Sequence, residues 1–69
     1  MLTAAVSQAD LVSRVRAEYL EMPGLRLTEG QAQRLFGLTA LVCQTVLASL
    51  LESGFLWRSP TGIFALAPR

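Results

Sequence analysis

The side chains that carry most enzyme chemistry are scarce in this sequence. There is no His, so the commonest general base is missing. The single cysteine, Cys43, sits beside Val42 and close to Val46 and Leu47, a setting for a buried, inert thiol rather than an activated nucleophile. Glu18 and Glu21 fall on one solvated helix face near Arg14 and imply no cleft. No Gly-rich phosphate loop follows a strand, and no cluster of Cys, His or carboxylates has metal-ligand spacing. The expectation is therefore a protein that is not an enzyme and holds neither metal nor cofactor. What remains for work is a set of amides, hydroxyls and arginines, and these groups bind.

Bulk charge does not say what they bind. Six basic residues, all arginine, stand against five acids, for a net charge of +1, which is too small to predict nucleic-acid binding from electrostatics alone. Sixty-nine residues make one domain, taken as 1–69. The core of so short a chain contributes only about 3–5 kcal/mol. One cysteine rules out an internal disulfide framework. With 52% hydrophobic and 16% charged residues, little polar surface covers the apolar part. A homodimer is expected on that ground, with the first helix and the MLTAA start as its seams.

Residues 35–51, LFGLTALVCQTVLASLL, carry no charge. Their length is at the lower edge of a bilayer span, about 17–25 residues, but Gly37, Thr39, Gln44, Thr45 and Ser49 interrupt them and no basic cluster flanks them. No membrane association is expected. The start MLTAAVSQAD lacks the basic region and long apolar core of a signal peptide, so the expected compartment is the cytoplasm, with Cys43 reduced.

The elements that must position the binding groups can be read from periodicity and caps. Ser7 opens S-Q-A-D, which has the form of a capping box. Leu11, Val12, Val15, Tyr19 and Met22 then recur at helical steps, so an amphipathic helix is expected over about 8–21, ended by Pro23-Gly24. Leu25-Arg26-Leu27 reads as a three-residue strand with its leucines inward. Thr28 begins a second capping box and a helix over 29–36, closed by Gly37. Thr39 caps a third helix over 40–53, with Gly54 as its left-handed stop, and Val42, Cys43, Val46, Leu47, Leu50 and Leu51 are offered to a core. Residues 55–66 read as a hairpin around Ser59-Pro60-Thr61-Gly62.

Helix, short strand, helix, tight turn, helix and hairpin follow one another in that order. The chain thereby resembles the winged helix-turn-helix domains of bacterial transcription regulators of the MarR-like and IclR-like kind. The residues that carry the likeness are Leu25 and Leu27 before the Thr28 cap, the A-x-x-L-F-G-L run from Ala32 to Leu38, and Thr39. Val46, Leu47 and Leu50, then S-G-F-L at 53–56, and the turn at 59–62 complete it. The fold class expected is mainly α with a small wing sheet of two or three strands. Leu35, Leu38 and Val46 are expected to pack in the angle between the second and third helices, and Leu25–Leu27 to add a strand to the hairpin.

The resemblance implies that the third helix enters the major groove of double-stranded DNA. By position, Ala40, Leu41, Gln44 and Thr45 would then meet the bases, and a Gln amide suits an adenine edge. The helix starts at Thr28 and Thr39 would offer backbone N–H groups to phosphates, and Arg34 and Arg58 would clamp them. Thr28 and Thr39 are caps in any case, and Arg34 and Arg58 are otherwise ordinary surface.

The sequence departs from the family pattern at one place. No Arg or Lys stands between 35 and 57, where family members usually carry several. Leu41, Ala48 and Leu51 instead join Thr45 along one side of the helix, a stripe that suits a protein partner if it is exposed. Two functions follow: a small, dimeric DNA-binding regulator, or a winged-helix protein-interaction module that uses this stripe. Arginines gathered on the face of the third helix would favour the first, and scattered arginines the second.

Overall fold

The computed structural model describes residues 8–68, so Ser7 and the MLTAA start lie outside the described residues. Its elements are α1 (Gln8–Glu21), β1 (Arg26–Thr28), α2 (Glu29–Phe36), α3 (Ala40–Glu52), β2 (Leu56–Arg58) and β3 (Ile63–Leu66). The three strands form one antiparallel sheet in the order β1-β3-β2. This is a winged-helix-like layout with helices in the majority.

Local chemistry fixes the boundaries. The Thr28 hydroxyl accepts from the Gln31 N–H at 3.2 Å, and the Gln31 side-chain oxygen accepts from the Thr28 N–H at 2.9 Å, a reciprocal capping box. Gly37 ends α2 with φ 67°, and the Thr39 hydroxyl starts α3 by accepting from the Val42 N–H at 3.3 Å. Only three residues separate the helices, and their axes turn by 108°, within the range of helix-turn-helix units. The uncharged run at 35–51 is thus divided between two helices, and among the described residues no single helix is long and apolar enough to cross a membrane. At the far end of α3, Gly54 bonds back to the Leu51 carbonyl and Phe55 to that of Leu50, a Schellman stop with Gly54 at φ 78°.

The wing turn uses Pro60 at its second position and closes with the Gly62 N–H on the Ser59 carbonyl at 2.9 Å. β1 completes the sheet: Leu27 faces Phe64, and Phe64 faces Arg58. It lies one residue later than the sequence predicts, because Leu25 is held in a turn by the Met22 carbonyl.

One apolar core joins all the layers. Val15 and Tyr19 of α1, Leu27, Ala32, then Cys43, Val46, Leu47 and Leu50 of α3, and Leu56 and Phe64 of the sheet are buried together. Tyr19 is fully enclosed, and its hydroxyl donates to the Phe64 carbonyl at 2.9 Å, tying α1 to the centre of the sheet. Three apolar residues expected inside are exposed instead. Leu35 is 54% exposed, so Leu38 and Val46 fill the helix angle without it. Val42 and Met22 are exposed as well, whereas Leu51 packs partly against the core. Their spacing fitted the apolar faces, but each lies at the edge of the buried face rather than within it.

Candidate nucleic-acid or protein interface

At 100° per residue, the buried positions 43, 46, 47 and 50 define the inner side of α3. Positions 41, 45, 48 and 52 form the opposite line, and all four are exposed. The outer face of α3 is therefore Leu41, Thr45, Ala48 and Glu52, with Gln44 beside it. Leu41 is the extreme case, at 74% exposure. Leu51 stands on the edge of this face and packs partly against the core.

Alongside runs a groove of about 250 Å³ between α2, α3 and the wing. Leu47, Ala48 and Leu51 form its floor, with Glu29, Gln44, Arg58 and Phe64 around them. Glu29 is the first residue of α2, where a carboxylate is favoured by the helix dipole. The Gln44 amide nitrogen donates to its carboxylate at 3.0 Å. Arg58 ends β2 and holds its guanidinium 6.0 Å from the centre of the Phe64 ring.

Each residue implied by the resemblance has a definite place. Thr28 and Thr39 cap their helices with their own hydroxyls. Ala40 is exposed at the first position of α3. Thr45 is exposed but donates its hydroxyl to the Leu41 carbonyl one turn back, at 2.9 Å. Gln44 is held by Glu29. Arg34 is exposed in the last turn of α2, on the side away from buried Ala32.

The arginines among the described residues are spread over the molecule. Among the described residues, Arg58 is the only one that lines the groove. Arg14 is on the solvated side of α1, and Arg16 lies 5.0 Å over the Phe55 ring. Arg26 shares a row with Ala65 and Trp57 on the outer side of the sheet, the other side from Phe64 and Leu27.

Cys43 is buried, and its thiol donates weakly to the Glu29 carbonyl at 3.9 Å. Burial pushes this thiol up from its ordinary value, and the Glu29 charge adds to the effect. A thiol so placed stays protonated and unreactive.

Sequence reasoning overlooked Glu29 as part of this site. Gln44 is fifteen residues further along the chain, and only the steep α2–α3 turn brings the two together. No family model, curated protein or solved structure matches this chain.

Proposed function

We propose that this chain is a small winged-helix protein-interaction module, with the outer face of α3 as its contact surface. The observation that carries this is the chemistry of that face. Leu41, Thr45 and Ala48 present apolar groups, Glu52 ends the line, and a second carboxylate, Glu29, occupies the one polar reader, Gln44. Affinity for duplex DNA comes mainly from neutralised phosphates, and among the described residues this face offers one arginine against two acids. An apolar stripe on an exposed helix is the usual means of gripping another chain. On this proposal the protein acts in the cytoplasm, where Cys43 stays reduced.

A bacterial transcription regulator that binds double-stranded DNA is the second reading. It is favoured by the 108° turn between α2 and α3 and by Arg58 beside Gln44. Binding by two or three arginine contacts would give a log–log salt slope of about −2 to −3 per protomer. Fluorescence anisotropy with a labelled mixed-sequence duplex at about 50 mM salt distinguishes the two. The interaction module predicts no saturable binding at tens of micromolar protein. Saturable binding with that slope, removed by Arg34→Ala with Arg58→Ala, would establish the regulator instead.

A further inference from the structure

The outer line of α3 has the features of a surface that meets its own copy. Its centre, Thr45 and Ala48, is small and uncharged, and Thr45 turns its hydroxyl back to the Leu41 carbonyl. A two-fold axis sets residues near it against themselves, which small neutral groups tolerate and charges do not. Leu41 and Glu52 lie eleven residues apart, or about 16 Å, at the two ends of the line.

We infer that the outer face of α3 is a self-association surface on which a second copy of this chain packs its own α3 antiparallel, about a two-fold axis near Thr45 and Ala48. The inference rests on the protein-contact role proposed above. Direction follows from charge. A parallel pair would set Glu52 against Glu52, whereas an antiparallel pair lays Leu41 along the aliphatic stem of the second copy's Glu52.

The groove supplies the rim. Glu29 and Arg58 are both on one flank of α3, and an antiparallel two-fold brings the same flank of each copy together. Each rim thus meets a surface of both signs, so every groove carboxylate has an arginine within the opposing rim. A polyanion, by contrast, would meet Glu29 and Glu52 with Arg58, alone among the described residues, to offset them. Size makes the rim necessary. The exposed side of α3 is about 20 Å long and about 10 Å wide, a footprint of roughly 200 Å². Even small stable interfaces bury about 600 Å² per partner, so the groove walls must take part.

Cross-linking and sedimentation test the arrangement. Ala48→Cys should form a covalent dimer under mild oxidation, while buried Cys43 stays reduced. Ser13→Cys, on the exposed side of α1, should not cross-link. In sedimentation, Leu41→Glu should raise the dimer dissociation constant by about tenfold or more. Leu41 is too exposed for that change to unfold the domain, which circular dichroism will confirm. Arg58→Glu should also weaken the dimer, and Glu29→Arg combined with Arg58→Glu should restore it. A parent chain that is monomeric at high micromolar concentration overturns the inference, as does cross-linking through Ser13→Cys instead of Ala48→Cys. Either result leaves α3 free to hold a different protein, whereas tight duplex binding by the parent would remove the protein-contact role itself.

Discussion

The Gln44 amide nitrogen donates a 3.0 Å hydrogen bond to the Glu29 carboxylate, joining the outer part of α3 to the first residue of α2. The side chain best suited to read a base is therefore held by a negative charge at the place where phosphates would approach. Glu29→Gln removes that charge and keeps an acceptor for Gln44. The initial slope of the low-salt anisotropy titration with duplex DNA, non-saturating in the parent, should steepen about threefold in this variant. Anisotropy measured at low salt would read the change, and an unaltered curve would mean that Glu29 does not repel DNA.

Leu50 is 2% exposed, among the α3 residues that face the core. Leu50→Asp buries a charge with no partner, at a cost of several kcal/mol, comparable to the whole stability of so small a domain. Circular dichroism should report an unfolded chain at room temperature. A spectrum and melt like the parent's would take Leu50 out of the core.

Tyr19 makes stability depend on alkaline pH. Burial, and secondarily Cys43, push its hydroxyl from 10.0 up to about 12. The folded state thus holds the neutral phenol more firmly than the unfolded chain does. The corresponding stability is complete below about pH 10 and is lost as pH rises through about 12, a change of roughly 2–3 kcal/mol. The raised Cys43 thiol acts in the same direction. Tyr19→Phe should cost about 1 kcal/mol at neutral pH through the lost bond to Phe64. It should also flatten the decline between pH 10 and 12. Urea melts across that range give both quantities, and an equally steep decline in the variant would assign the alkaline loss to another group.

Gly37 is needed for its backbone and not for space. Its φ is 67°, yet a Cβ there would meet no atom within 4 Å. Gly37→Ala should therefore lose about 1–2 kcal/mol through left-handed strain alone. Gly24→Ala also enters open space but needs no positive φ, so it should change stability by less than about 0.5 kcal/mol. Equal melting temperatures for the two variants would mean that the α2–α3 turn does not depend on that conformation.

Much of the layout was legible in the sequence because caps and stops are local. Thr28 with Gln31, Gly37, Thr39 and Gly54 each act within a few residues, so the helix boundaries could be read directly. The flanks were not legible. Periodicity places Leu35, Val42 and Met22 on apolar faces, but only the crossing of α2, α3 and α1 decides whether a flank is covered. The exposed line through Leu41, Thr45 and Ala48 was foreseeable once 43, 46, 47 and 50 were taken as inward. The hold of Glu29 on Gln44 was not, since it depends on a 108° turn between helices. The positions of Arg26 and Arg58 on opposite sides of the sheet likewise follow from strand register, which the short apolar runs did not specify.

Hydroxyl-radical footprinting of Leu41 tests most directly whether the outer face of α3 contacts protein. The Leu41 side chain is 74% exposed in the single chain and should be oxidised readily in dilute solution. Its oxidation should fall as the concentration of the protein rises, and a mixed-sequence duplex added at low salt should leave it unchanged. Protection of Leu41 by the duplex, with none from the protein's own concentration, would contradict the account.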